Sequence, residues 1–181
     1  QPNAPRSLFL SSRFYYRLMV LVCCFFSLKS FEIHAQVWTG LSSGNWSTST
    51  NWSTAPVFGS STDLIFSAIS TNSTSATPSF LGSNLTIRSL TFDASVNTDL
   101  SVRFASAYNG NVARNLIFSA SSGTAGISIA SGATGNVTFT VGTAVGSIVA
   151  NSDLLIDNDG SGKLSISPPI SGSGSLTKNG S

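Results

Sequence analysis

The sequence predicts an all-β protein built as a parallel β-solenoid. Short runs that alternate apolar and polar residues follow one another along its 181 residues, and turn residues separate them. Charged residues make up 9% of the chain, against about 25% in an ordinary soluble domain. From Gln36 onward, no stretch of ten residues has apolar positions at helical spacing. These observations exclude a helical bundle, a highly charged disordered chain and, without a basic stripe, a nucleic-acid-binding domain.

The first 35 residues have the pattern of a secretory signal peptide. Three arginines among the first 17 residues precede an apolar run from Leu18 to Leu28, and the small Ala35 then precedes the polar Gln36. The apolar run has about 11 residues, whereas a bilayer span needs about 20. We therefore expect residues 1–35 to be cleaved after Ala35, and we expect the mature chain to have no membrane span.

Removal of this leader changes the chemistry that the chain can offer. Both Cys residues, the one His and the one Glu lie in it, and residues 36–181 keep six Asp against five Lys plus Arg. A chain without these residue types lacks the usual catalytic triads and zinc sites. The remaining charges look scattered along the sequence, so we expect no catalytic activity and no cofactor. A polysaccharide-degrading β-helix enzyme is the weaker alternative, and it would need Asp and Arg or Lys clustered on one face.

Eight short runs carry the alternation that predicts strands. They are Asp63–Phe66, Leu85–Phe92, Leu100–Phe104, Asn115–Phe118, Ile127–Ile129, Asn136–Val141, Leu154–Ile156 and Lys163–Ile166. Because neighbouring side chains of a strand point to opposite faces, alternation also predicts which residues are buried. Those residues are Ile87, Val102, Ile129, Val137, Phe139, Val141, Leu164 and Ile166.

The corners between the runs favour a solenoid. Gly, Asn, Asp and Ser cluster there, as at residues 122–124, 131–135 and 157–160, and they suit tight turns. The later runs carry Ile, Val and Leu rather than the large aromatics that a sandwich usually buries between facing sheets. Rungs with little charge can also stack without repulsion. A β-sandwich or jelly roll stays the alternative, and Ser67–Ser83 is predicted to be a loop.

Residues 36–62 differ from the rest because they contain Trp38, Trp46 and Trp52. A solenoid needs a cap at its first rung, which otherwise exposes an unpaired edge and an open core. Bulky Trp side chains would close that end. Alternatively, the three rings would form a platform for sugars, because aromatic faces stack on pyranose rings. A carbohydrate-binding module is therefore the second functional hypothesis.

Asp157, Asp159 and Ser161 form a candidate calcium site. Oxygen ligands at alternate positions, followed by Gly, resemble the first half of a calcium loop. The acidic ligand expected at the twelfth position is replaced by Pro168, which has no side-chain oxygen. The same residues also suit a turn between strands.

Two segments resemble a known bacterial family. The first segment contains Trp38-Thr39-Gly40, Asn45-Trp46-Ser47, Asn51-Trp52-Ser53 and Pro56. The second is the tail from Ile170 to Ser181, with Gly174-Ser175-Leu176-Thr177-Lys178-Asn179-Gly180 at its centre. They resemble proteins with autotransporter-associated β-strand repeats, also called passenger-associated transport repeats. In that family a Gly-Ser-Leu-x-Lys-x-Gly strand opens each repeat, whereas this chain stops at Ser181 before the second half would follow.

The resemblance implies a right-handed parallel β-helix and export to the cell surface, and it carries no catalytic motif. It divides the chain into a signal peptide at 1–35, a Trp-containing cap at 36–62 and solenoid rungs at 63–181, truncated at the start of a repeat. We therefore expect an N-terminal fragment of an exported bacterial protein, structural or adhesive, that is secreted or held at the cell surface or outer membrane. Its expected partners are surface glycans or a host or neighbouring cell surface, and not nucleic acid.

Overall fold

The computed structural model describes residues 35–105, 107 and 110–181, and these residues are almost entirely β-strand, turn and corner. The predicted signal peptide, apart from Ala35, lies outside the described residues. A turn of 3-10 helix occupies Ser49–Asn51. The strands are β1 Gln36–Val37, β2 Asp63–Phe66, β3 Ser79–Phe80, β4 Leu85–Ile87, β5 Ser89–Phe92, β6 Leu100–Arg103, β7 Leu116–Phe118, β8 Ala125–Ile129, β9 Val137–Thr140, β10 Ile148–Ala150, β11 Leu154–Asn158, β12 Leu164–Ile166, β13 Ile170–Gly172 and β14 Leu176–Gly180.

The strands form three parallel sheets that the chain visits in turn. Sheet 1 has six strands in the order β1-β2-β5-β8-β11-β14, sheet 2 has four in the order β12-β9-β6-β3, and sheet 3 has four in the order β13-β10-β7-β4. From β2 onward, each circuit therefore passes through sheets 1, 2 and 3 before it returns to sheet 1. This arrangement is consistent with the predicted β-solenoid, and it differs from the β-sandwich alternative, whose sheets are antiparallel.

The core is a set of columns in which side chains of successive circuits stack. In sheet 1, Leu64 pairs with Leu90, then Ile127 and Ile156, and all four are buried. The first circuits also bury aromatic rings, and the centroids of Phe66 and Phe92 lie 5.3 Å apart. Of the residues predicted to be buried, Ile87, Val102, Ile129, Val137 and Phe139 are fully so, whereas Val141, Leu164 and Ile166 are partly buried against the core.

Three predicted elements differ from the structure. Leu85–Phe92 is two strands rather than one, because the chain turns at Arg88 and passes from sheet 3 to sheet 1. The predicted corner at 157–160 begins later, since β11 continues through Asn158, which is buried. The segment Ser67–Ser83 also contains the short strand β3, which pairs with β6.

The Trp-containing segment is continuous with the sheets. Its strand β1 pairs with β2 at the edge of sheet 1. Asn45 forms a parallel bridge with Phe80 and so adds one residue to the edge of sheet 2. The segment therefore covers the first circuit from two sides. Within the residues that the structure describes, no helix is long and apolar enough to cross a membrane.

Candidate functional site at the first circuit

The three tryptophans pack together in the core. Trp38 and Trp46 are fully buried, and Trp52 is 5% exposed. The ring centroids of Trp38 and Trp52 lie 4.9 Å apart in an edge-to-face arrangement, and Trp38 stacks on Phe66 at 5.6 Å. Aromatic pairs in such geometries stabilise a core beyond the area that they bury. We call Trp38, Trp46 and Trp52 the Trp cluster.

Two of the three indole N–H groups are satisfied. Trp38 Nε1 donates to the carbonyl of Thr71 at 2.8 Å, and Trp52 Nε1 donates to the carbonyl of Trp46 at 2.8 Å. The buried Trp46 Nε1 has no acceptor among the described residues. The bond to Thr71 joins the cluster to the loop between β2 and β3, which the sequence alone did not connect to it.

Burial of the Trp cluster corrects the carbohydrate hypothesis in its original form. A sugar stacks only on an exposed aromatic face, and other side chains cover Trp38, Trp46 and Trp52. The cluster therefore packs as a cap would, and it does not offer the predicted sugar platform.

Asn51 organises the chain beside the cluster. Its side chain is fully buried, and its Oδ1 accepts hydrogen bonds from the backbone N–H groups of Ser42 and Ser43, each at 2.9 Å. Its Nδ2 donates to Ser43 Oγ at 2.9 Å and to the carbonyl of Asn45 at 2.8 Å. One amide side chain thus makes four hydrogen bonds, which fix the path of residues 42–45.

This fixed segment forms one wall of a groove of about 420 Å³ at the edge of sheet 2. The opposite wall comes from the loop that leads into β3. We call it the N-terminal groove, and its lining residues are Ser43, Gly44, Asn45, Asn72, Thr77, Pro78 and Phe80. It is built from amide, hydroxyl and apolar groups. Sequence analysis missed it because the walls are separated along the chain and neither carries a recognisable motif.

Four aspartates accept hydrogen bonds from neighbouring groups, and three of them accept from backbone N–H groups. Asp99 Oδ1 accepts from the backbone N–H of Asn136 at 2.9 Å, and Asp153 Oδ1 accepts from that of Ser175 at 3.0 Å. Each carboxylate thereby joins a corner to the same corner of the next circuit. The hydrogen bonds from the backbone and hydroxyl of Ser175 lower the pKa of Asp153. Asp93 accepts within its own turn, and Asp63 accepts from side chains.

Asp63 and Arg88 form an ion pair, although their charges look scattered along the sequence. Arg88 Nε donates to Asp63 Oδ1 at 2.8 Å, its Nη2 contacts Oδ2, and Ser89 Oγ donates to Oδ1 at 2.5 Å. Burial alone would raise the pKa of Asp63, but the hydrogen bonds from Arg88 and Ser89, with the charge of Arg88, outweigh it and lower the pKa. The same hydrogen bond raises the pKa of Arg88. The carboxylate is thus engaged in structure at the start of β2.

The candidate calcium residues are spread over a strand and a corner. Asp157 lies within β11, between Ser128 and Asn179 of the neighbouring strands, whereas Asp159 lies in the corner after it. Ser161 lines a different cavity, of about 460 Å³, together with Lys163 and Lys178. Two ammonium groups disfavour a cation there. In the described part of the chain, no three His, Cys, Asp or Glu side chains form a metal-binding group, and the calcium site stays a prediction.

Comparison with known proteins finds no relative: no protein-family model matches the chain, and neither does any curated protein or solved structure. The resemblance to proteins with autotransporter-associated β-strand repeats therefore rests on the quoted residues alone.

Proposed function

We propose that this chain is an exported bacterial structural element, a right-handed β-solenoid capped by the Trp cluster, that extends or presents other protein at the cell surface. The observation that carries this proposal is the order in which the chain visits its three parallel sheets, since that order stacks successive circuits on one another. Its work is physical rather than chemical. The resemblance implies the handedness and the surface location.

The outer faces of the sheets support a structural role. Their polar residues are largely uncharged, and hydroxyls of successive circuits pair, as Ser128 Oγ does with Thr91 Oγ1 at 3.0 Å. Below them the apolar columns run without interruption from Leu64 to Ile156. Low charge lets neighbouring strands stack without repulsion, and apolar columns supply the main favourable free energy of stacking.

The aspartates support a function without catalysis. A general acid or base needs a carboxylate that can reach substrate and exchange a proton at working pH. Asp63, Asp93, Asp99 and Asp153 instead accept hydrogen bonds from their neighbours, and two of them have lowered pKa values. The polysaccharide-degrading alternative needed a cluster of Asp with Arg or Lys, and the Asp63–Arg88 pair is committed to joining β2 to the corner before β5.

The test is surface exposure on intact cells. The full chain is produced in a Gram-negative host and labelled with an antibody that cannot cross the envelope. We expect labelling of intact cells, and we expect it to disappear when Val20 and Val22 in the apolar run are both replaced by Asp, because a charged run no longer directs export. Equal labelling of the variant, or labelling only after lysis, would refute the proposed location.

A further inference from the structure

We propose that the N-terminal groove binds a short neutral oligosaccharide. This would give the protein a ligand class, and it does not depend on the surface location proposed above. It also moves sugar binding away from the Trp cluster to a site that no sequence motif indicated.

The lining of the groove matches the chemistry of a neutral sugar. None of its described lining residues is ionisable, so it offers no charge to hold a phosphate, sulfate or carboxylate. Pro78 and Phe80 are largely buried and contribute a small apolar area, while amides and hydroxyls supply polar groups around it. Small-molecule sites combine an apolar lining with a few placed polar groups in about 300–1,000 Å³, and the groove's volume of about 420 Å³ lies in that range.

Two amides on opposite walls have capacity to spare. Asn45 Oδ1 accepts from the backbone of Ser47, and no described residue accepts from Asn45 Nδ2. Asn72 Nδ2 donates to the carbonyl of Gly40, and no described residue donates to Asn72 Oδ1. Both residues line the groove, so their amides can serve there as a donor and an acceptor. A sugar hydroxyl both donates and accepts, so it can satisfy the two together.

Both walls are fixed before a ligand arrives. Asn51 holds residues 42–45 through its four hydrogen bonds. Asn72 has a left-handed backbone with φ of 45°, which Asn adopts more readily than other non-glycine residues, and its bond to the Gly40 carbonyl holds it there. Thr77 Oγ1 lies 3.1 Å from Thr74 Oγ1. A preformed site loses less conformational entropy on binding, which matters most for weak polar ligands.

The experiment is a titration of the isotope-labelled full chain, followed by NMR. The neutral probes are N,N′-diacetylchitobiose, cellobiose and maltose, and a heparin disaccharide is the anionic probe. We expect at least one neutral probe to shift the amide signals of residues 43–45 and 72–80, with a Kd of about 1 mM or tighter. Shifts confined to another region, shifts by the heparin disaccharide alone, or no shift with any probe at about 10 mM would overturn the proposal.

Variants locate the contacts. Asn45→Ala removes the free donor, and Thr77→Val removes an exposed hydroxyl with little change of shape. Each should weaken binding of the responding sugar about tenfold, the effect of losing roughly one hydrogen bond. Asn84→Ala, in a corner outside the lining residues, is the matched control and should bind as the unchanged chain does. Because Thr77 is exposed, Thr77→Val should keep the melting temperature of the unchanged chain. Unchanged affinity in both Thr77→Val and Asn45→Ala would contradict the assignment.

Discussion

Individual glycines allow the corners of successive circuits to approach one another. Gly146 lies directly over Arg114, and a Cβ placed on it would be 2.0 Å from the Arg114 carbonyl oxygen. Gly174 has the same relation to Ser152, at 2.0 Å. Each of these glycines lies two residues before a strand, in Gly-Ser-Ile and Gly-Ser-Leu. The Gly-Ser-Leu that carries part of the family resemblance thus has a steric reason.

Gly146→Ala should therefore destabilise the fold. The methyl group would meet backbone, which cannot move without disturbing the previous circuit, so we expect a loss of about 1–3 kcal/mol in the free energy of unfolding. Gly59→Ala is the control, because a Cβ there would meet nothing within 4 Å, and its effect should stay within about 0.5 kcal/mol. Urea unfolding measures both. Equal effects of the two substitutions would show that the close approach does not exist.

The indole N–H groups predict a difference within the Trp cluster. Trp38→Phe breaks the bond to the Thr71 carbonyl, whereas Trp46→Phe removes a donor that has no described acceptor. Both lose similar ring volume, so the hydrogen bond should decide the difference. We expect Trp38→Phe to be the less stable variant by about 1 kcal/mol in urea unfolding. A larger loss in Trp46→Phe would mean that its N–H group has a partner.

At the scale of elements, corners matter as much as strands. Between β4 and β5, the chain passes from sheet 3 to sheet 1 through the single residue Arg88. Arg88 fits this corner because its backbone N–H donates to the Thr62 carbonyl at 2.8 Å and its guanidinium pairs with Asp63. The ion pair therefore fixes both the corner and the start of β2.

This pairing predicts how stability depends on pH. The folded-state pKa of Asp63 is lowered from 3.8, so the pair stabilises the protein above pH 3.8, and this contribution is lost as the pH falls through the lower folded-state pKa. At pH 7 Arg88→Met should cost about 1 kcal/mol, since the pair is partly exposed. Urea unfolding at a series of pH values should show this difference shrinking below pH 3.8. A difference that is independent of pH would mean that Arg88 acts through packing alone.

The sequence predicted most strands between residues 63 and 166, their buried faces and the corners at 122–124 and 131–135, but it missed the corner at Arg88. Alternation identified Ile87, Val137 and Phe139 because a strand period of two is local. The predicted strand Leu85–Phe92 continued through Arg88, because alternation on both sides of a corner looks like one longer strand. Alternation also missed β10, because Ile148–Ala150 is short and lies after a glycine and serine turn. The sequence could not predict the N-terminal groove, because its walls meet only through tertiary contacts.

For the whole molecule, the length of one circuit is not constant, which hides the repeat. Corners that hydrogen bond to each other are 37 residues apart at Asp99 and Asn136, and 22 apart at Asp153 and Ser175. The loops between strands differ in length, but the strands keep their register. The sheets therefore stay continuous while the sequence shows no fixed period. A parallel stack of such low charge suits the proposed role in extension and display.

The most direct test of an exported structural element is the mass of the protein recovered from the outside of producing cells. Surface material is released by mild protease-free washing or shearing and analysed by intact and peptide mass spectrometry, which also detects a cyclised N-terminal glutamine. We expect a chain that begins at Gln36, the first residue of β1, with residues 1–35 removed. Recovery only from the cytoplasm, with the first 35 residues still attached, would contradict export and with it the proposed function.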